Sequence, residues 1–223
     1  KLLPSLLRRM LAESSIRSIR LSSVEPMDFS QELLELMASS GRIAQHVHAP
    51  LQSGSDGVLR RMHRKYRPKH YEERVRLARS LMPHAAIGAD IMVGFPGETE
   101  AEFAESVDFI ETLPLTYFHV FTYSERPGTK AIGMARSVPV DVRRERNRIL
   151  QSIGERKNQA FRASLAGYRF GAVTLREGNT ALSTNYVRIE LAQPRQPNEW
   201  IEVEMGPATE RGVREAAIFP ILN

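Results

Sequence analysis

Over the first 140 positions, apolar residues alternate between short unbroken runs and stretches spaced three and four apart. Residues 16–21, 43–48, 87–93 and 117–123 are runs of strand length and predict four strands. Helical spacing lies between them. Asp28 is placed to cap a helix that opens at Gln31 and buries Leu33, Leu36 and Met37. Thr99 and Glu102 have the spacing of a capping box, followed by Phe103, Val107, Ile110 and Leu113 on one face. A third helix is predicted over 141–165, with Ile149, Ile153, Ala160 and Phe161 on its apolar side. Strands separated by helices imply parallel pairing with crossover connections. Four strands are too few for a closed eight-stranded barrel, which leaves an open α/β sheet or half of a (β/α) barrel.

Beyond Gly167 the pattern changes. Gly, Pro and Asn punctuate short β-rich runs at 171–176, 186–191, 200–205 and 213–219, which predict a small antiparallel barrel or sandwich. The expected division is therefore 1–165 and 166–223, with fold class α/β followed by a small β domain.

Composition narrows the chemistry. The 223 residues carry a formal charge of +5 and no cysteine, which excludes disulfides, zinc ribbons, cysteine nucleophiles and a self-ligated iron–sulfur cluster. No stretch approaches the ~20 apolar residues of a membrane span, and the opening KLLP has no signal-peptide core, so a cytoplasmic location is expected. A start at Lys rather than Met suggests a piece of something longer. Basic residues cluster twice: nine against two acids over 57–79, and nine against four over 140–180. Such clusters suit a phosphate backbone, although solvated helix faces are the commoner explanation. Residues 181–223 are acidic instead, with six acids to four bases.

Four loops each follow a predicted strand: 22–26 (SSVEP), 50–55 (PLQSGS), 94–99 (GFPGET) and 123–129 (YSERPGT). In parallel α/β folds ligands bind beyond the carboxyl ends of strands, so the four should share one rim. Each is also what a well-capped turn requires, but together they place Glu25, Gln52, Asp90 and Arg126 near strand ends. Asp90 lies within an apolar strand, where a carboxylate needs either a ligand or an ion pair, with Arg64 or Arg20 as candidates. His46 and His48 alternate and face one side. No third ligand is spaced to complete a metal site, so they are read as barrel-interior polar residues and no metal is expected. No Ser-His-Asp arrangement or Walker loop is present, and Pro96 interrupts any dinucleotide fingerprint in 94–97.

The segments RSIRLSSVEP (17–26), HVHAPLQSGSDGVLRRMHRKY (46–66), DIMVGFPGETE (90–100) and FHVFTYSERPGTKA (118–131) together resemble the radical SAM methylthiotransferases. The likeness spans residues 1–165. The remainder is similar to the small RNA-binding TRAM barrel that ends those enzymes, and HRKY with HVFTYSERPGT is most similar to the branch acting on N6-threonylcarbamoyladenosine at tRNA position 37. The resemblance implies S-adenosylmethionine as cofactor, tRNA as partner and two [4Fe–4S] clusters. Their cysteines lie in an N-terminal part and in a CxxxCxxC loop, neither of which is in this sequence. It also implies reductive cleavage of the cofactor to a 5′-deoxyadenosyl radical and replacement of a substrate C–H by methylthio.

Carried over residue by residue, the likeness puts Glu25, Gln52, Ser53, Arg64 and Asp90 against the cofactor's methionine and ribose parts. Arg64 would pair with the carboxylate, while Gln52 and Glu25 would bond amine or hydroxyls. Gly94 and Pro96 would line the adenine edge; Ser124, Arg126 and Thr129 would face adenine or the substrate base. For Arg126, a phosphate contact or a loop ion pair with Glu125 is the alternative. No catalytic residue is assigned to this chain, which is expected to be inactive alone. Related enzymes acting on a ribosomal protein, and a degenerate RNA-binding protein, are the competing readings.

Overall fold

The computed structural model describes residues 2–134 and 137–216. Its first part contains α1 (Leu2–Glu13), α2 (Gln31–Ser39), β1 (His46–His48), α3 (Asp56–Arg61), α4 (Pro68–Leu81), β2 (Ala86–Val93), α5 (Glu100–Thr112), β3 (Tyr117–Thr122) and α6 (Val140–Ala163). The three strands pair in parallel in the order β1-β2-β3, with Val47 opposite Ile87 and Asp90 opposite His119. The strand predicted at 16–21 is present only as parallel bridges beside β1, Ile19 to Ile43 and Ser23 to His48.

One face of β2, made of Ile87, Ala89, Ile91 and Val93, is buried in the main core with Leu33, Leu34 and Met37 of α2 and Tyr71 and Val75 of α4. The opposite face collects polar side chains: His46 and His48 of β1, Asp90 of β2, Tyr117 and His119 of β3. A sheet buried on one side and polar on the other is what half a barrel leaves, the polar face being the barrel's interior.

Local chemistry sets the helix starts. The α5 capping box is present in both halves: Glu102 N–H donates to Thr99 Oγ1 at 3.2 Å, and Thr99 N–H to Glu102 Oε2 at 2.9 Å. The cap of α2 is Ser30, not Asp28. Pro26 opens a 3-10 turn that consumes Asp28, whereas Ser30 has the extended backbone a cap requires and accepts from Leu33 N–H at 3.2 Å.

β3 is the sheet's open edge, and α6 lies along it. Asn158 donates to the Thr116 carbonyl at 3.1 Å and Asn147 to the Val120 carbonyl at 3.2 Å, so two helix amides satisfy acceptors that the edge would otherwise present to another strand.

A closed barrel follows, from β4 (Arg169–Thr174), β5 (Thr180–Ser183), β6 (Arg188–Glu190), β7 (Trp200–Ala208) and β8 (Val213–Glu215), in the order β4-β5-β6-β8-β7. Its core holds Ala172, Ala181, Ile189, Val203, Met205 and Val213, closed at one end by Leu165. β5 is the strand the sequence pattern did not announce. The strand predicted at 213–219 is present to Glu215; its positions 217–219 lie outside the described residues.

The small barrel sits at the amino ends of the parallel strands. Tyr186 stacks on His46 at 4.3 Å, and the Arg20 guanidinium lies over the Tyr186 ring at 5.0 Å. Arg20 also donates to the Ser183 carbonyl at 3.0 Å, Asn185 donates to the His84 carbonyl at 3.0 Å, and His84 packs on Tyr168 at a tilt of 43° with ring centroids 4.0 Å apart.

Candidate cofactor-binding rim

Three of the four loops predicted to share a rim follow β1, β2 and β3, and the one at 22–26 joins them through the bridge of Ser23 to His48; Gln52 is the most firmly placed of their polar residues. Its N–H donates to the Asp90 carbonyl and its carbonyl accepts from Met92 N–H, both at 2.8 Å, so β2 pins it on both sides in a left-handed conformation at φ 67°. Two buried tyrosines of the α3–α4 region hold the chain leading into it. Tyr71 donates to the Ala49 carbonyl, and the Tyr66 hydroxyl lies within reach of the Pro50 and Leu51 carbonyls.

Around Gln52 the side chains are loosely engaged. Arg64, two residues before Tyr66, approaches Glu25 only to 3.6 Å, and both are substantially exposed. Asp90 contacts neither Arg64 nor Arg20; its Oδ2 lies 3.2 Å from His48 Nε2, and its Oδ1 has no hydrogen-bond partner among the described residues. The reason is register, which sets Asp90 on the same face as His48, one pleat further along. Ser53 differs from the others. It is buried, its hydroxyl meets Ser106 of α5 at 3.1 Å, and it accepts from Ser55 N–H, so its polar atom serves the turn.

The turn at 94–99 is built around an ion pair that sequence reasoning missed. Gly94 N–H donates to Glu98 Oε2 at 2.6 Å, and Arg146 of α6 donates to the same carboxylate at 2.7 Å. Both side chains are buried; desolvation raises the Glu98 pKa, while the Gly94 N–H and Arg146 oppose that shift. Gly94 sits at φ 74°, and a Cβ there would come within 2.3 Å of the Arg143 side chain, so only glycine fits. Pro96 is buried in this turn. Arg61 of α3 grips the turn's other side, donating to both Glu102 oxygens at 2.7 and 2.8 Å and to the Gly97 carbonyl at 3.2 Å.

The fourth loop projects outward, with Ser124, Arg126 and Thr129 all exposed. Thr129 closes the loop by donating to the Arg126 carbonyl at 2.8 Å. Glu125 pairs with Arg143 at 2.8 Å, not with Arg126, and this hydrogen bond lowers its pKa. Arg143 is itself buried and also donates to the carbonyls of Tyr123 and Val138.

These contacts recast the two basic clusters. In α6, Arg143 and Arg146 clamp the rim loops, Arg148 and Arg156 pair with Glu145 and Glu111, and Lys157 and Arg162 bond backbone carbonyls. Over 57–79, Arg60, Arg61, Arg67 and Arg76 pair with carboxylates and Arg79 with carbonyls. Arg143 and Arg146 are therefore internal, while Arg60, Arg76, Arg148 and Arg156 stay exposed and paired on the surface. The signal available in sequence was the shared period, since Arg143 and Arg146 recur at the spacing of the helix's buried face.

A groove of about 1170 Å³ lies away from the rim, along β3 between α6 and the β7–β8 turn, with His119, Gln159, Arg162 and Arg211 among its walls. The rim's polar set, a guanidinium, two carboxylates and an amide, fits an amino acid carboxylate and ribose hydroxyls. An iron–sulfur cluster does not fit, because the chain has no thiolate to hold it.

Residues 3–110 match the family model of the radical SAM superfamily. The chain is 38% identical over 186 residues to the threonylcarbamoyladenosine tRNA methylthiotransferase MtaB of Aquifex aeolicus, covering 83% of this chain and 45% of that protein. It is 40% identical over 150 residues to the tRNA-2-methylthio-N(6)-dimethylallyladenosine synthase of Syntrophobacter fumaroxidans, covering 67% of this chain and 33% of that one. It thus spans between a third and a half of the length of these relatives. Among solved structures, coproporphyrinogen III oxidase (HemN) of Escherichia coli, a radical SAM enzyme, superposes with a TM-score of 0.54 at 17% identity, over 70% of this chain and 36% of that one. That likeness concerns the fold. The radical SAM family match and the two methylthiotransferase relatives agree: the chain belongs to the radical SAM methylthiotransferases.

Proposed function

We propose that this chain is the cofactor-orienting and substrate-facing portion of a tRNA methylthiotransferase that places a methylthio group on C2 of N6-threonylcarbamoyladenosine-37. The observation that carries the reading is the rim, where Gln52 is fixed by β2 while Glu25, Arg64 and Asp90 stay only loosely engaged around it. Side chains held this way are available to a ligand without breaking a strong internal bond.

In this reading Arg64 pairs with the carboxylate of S-adenosylmethionine, Glu25 and Gln52 accept or donate to its amine and hydroxyls, and Asp90 takes a ribose hydroxyl. The turn at Gly94 and Pro96 borders the adenine, held by Arg146 through Glu98. Ser124, Arg126 and Thr129 face the substrate nucleotide. When bound, the cofactor supplies the methyl group and the hydrogen-abstracting chemistry. The clusters that make it reactive belong to an N-terminal part of the same enzyme, and without that part the chain is inactive. The division between barrel half and TRAM-like end falls near 165/166, and the enzyme works in the cytoplasm. No helix among the described residues is long and apolar enough to cross a membrane.

Nucleoside mass spectrometry of bulk tRNA from cells lacking the gene tests the assignment. Loss of methylthio-threonylcarbamoyladenosine supports it. Loss of the methylthio-dimethylallyl nucleoside instead supports a second reading, motivated by the names of the other relatives. If both nucleosides persist, tRNA is not the substrate.

A further inference from the structure

The four arginines over 181–223 divide into two kinds. Arg195 meets Glu215 and Arg214 meets Glu190, so both are spent on carboxylates. Arg188 and Arg211 have no carboxylate partner among the described residues. Arg188 reaches only the Thr180 hydroxyl, at 3.4 Å, and the Arg211 side chain makes no hydrogen bond there.

Both unpaired arginines come to one place. A cavity of about 250 Å³ opens where α6 meets the small barrel, and Arg188 of β6, Arg211 of the β7–β8 turn and Arg162 of α6 all line it. Arg162 spends Nε and Nη1 on the carbonyls of Asn158 and Glu210, which leaves Nη2 unspent. No aspartate or glutamate is among the walls. Glu155 and Glu210 line the wider groove alongside, which shares Arg162, Tyr186 and Arg211 with the cavity. Three arginines gathered without a carboxylate repel one another, and an anion relieves that repulsion.

Tyr186, also on the wall, is held at φ 64°, a left-handed conformation that costs a residue with a Cβ. The turn enforces it: Tyr186 N–H donates to the Ser183 carbonyl, and Val187 N–H to Ser183 Oγ. Strain of this kind collects at ligand sites. The ring stacks on His46, but the residue is 42% exposed and its hydroxyl makes no hydrogen bond among the described residues. The cavity therefore offers positive charge and an unspent O–H donor. A carboxylate has two oxygens, enough for one guanidinium fork, whereas a phosphate presents oxygens to several donors at once.

We propose that the junction of α6 and the small barrel is a phosphate seat, in which Arg162, Arg188 and Arg211 bind one phosphate group and the Tyr186 hydroxyl donates to it. The phosphate comes from the backbone of a single-stranded RNA or from free inorganic phosphate, and the seat's chemistry is the same for both. Its place separates it from the reacting atoms. Ala86 and Tyr117, on its wall, open β2 and β3, whereas the rim turn begins at Gly94, beyond the eight residues and about 26 Å of β2. In an RNA the seated group is a phosphate flanking the modified nucleotide, and only that identification rests on the proposed substrate.

Fluorescence anisotropy of a labelled oligouridylate with the full 223-residue chain, over a salt series, tests the RNA source. Arginine Nε–H NMR signals during titration with inorganic phosphate test the free one. Arg211→Gln is the informative variant, because that side chain makes no bond the fold needs. Arg214→Gln, which removes the same charge outside the cavity, is the control. The expected result is that Arg211→Gln weakens RNA binding about five- to tenfold and lowers the slope of log K against log salt by about 0.7, while Arg214→Gln changes affinity less than about twofold. RNA binding indifferent to Arg211→Gln, together with phosphate-dependent shifts of the Arg162 signal that this variant loses, assigns the seat to free phosphate. Equal losses in the two variants show bulk charge and overturn the proposal, as does a chain in which neither probe responds to Arg211→Gln. If RNA occupies the seat while cells lacking the gene keep both methylthio nucleosides, the seat stands and the substrate assignment falls.

Discussion

At the amino ends of β1, β2 and β3 the polar side chains are closed in. His46, Tyr117, Tyr186 and Arg20 stack and bond to one another beneath the small barrel, and His46 is 5% exposed. At the carboxyl ends, Glu25 and Arg64 stand 3.6 Å apart and half in solvent, Asp90 keeps one oxygen open, and residues 124–130 are exposed. The same strands carry both arrangements, so burial alone does not distinguish a structural polar cluster from a ligand site. What distinguishes them is whether the chain satisfies its own donors and acceptors. Beneath the barrel the Arg20 guanidinium, the Tyr117 hydroxyl and one nitrogen of each histidine are spent. On the rim the backbone is spent and the side chains are not.

The sharpest challenge to that contrast is the one rim element that is anchored. Arg146→Ala leaves the Glu98 carboxylate buried without its cation and should cost about 3–5 kcal/mol in urea denaturation. A loss under about 1 kcal/mol would mean that the turn at 94–99 is not held through this pair. Second in size is the pH response of the closed-in end. His46 titrates near 6.5 when unfolded and near 4 when folded, so below pH 6.5 the unfolded chain binds the extra proton. Stability should fall as pH drops from 6.5 toward 4, by at most about 3 kcal/mol, and the slope should be shallower in His46→Asn across that window. Equal slopes for the two proteins would remove His46 from the account.

Smaller effects refine the picture. Thr99→Ala removes half of the α5 capping box and should cost about 1 kcal/mol in the same denaturation experiment. Arg64→Ala should change stability by less than about 0.5 kcal/mol, because its ion pair is long and solvated. A larger loss would show that Arg64 is structural and would break the distinction between the two ends.

Much of the scaffold was readable from residue order. The Thr99–Glu102 spacing announced α5, unbroken apolar runs announced β2 and β3, and three of the four turn motifs announced loops after neighbouring strands. The failures have physical causes. Asp28 and Ser30 are both capping residues, and only the turn imposed by Pro26 decides between them. β5 is four residues long, with no apolar run to mark it. The partner of Asp90 is set by register between distant segments, which no local pattern encodes. Arg143 and Arg146 looked like solvent-facing charge because a buried guanidinium leaves the same letter in the sequence as an exposed one. Only the fold shows that they face Glu125 and Glu98.

The reach of α6 has a consequence for how the molecule is made. The helix has 24 residues, about 36 Å of length, and it meets Glu98 from 48 positions further along the chain. Emerging from a ribosome at about 5–20 residues per second, the turn at 94–99 waits roughly 2–10 s for the arginine that neutralises its carboxylate. Over the same interval the outer edge of β3 lacks the amides of Asn147 and Asn158. Nascent chains that stall before residue 146 would therefore expose an unpaired strand edge and an unset turn together, which makes the stretch between β3 and α6 the stage of synthesis most prone to misassociation.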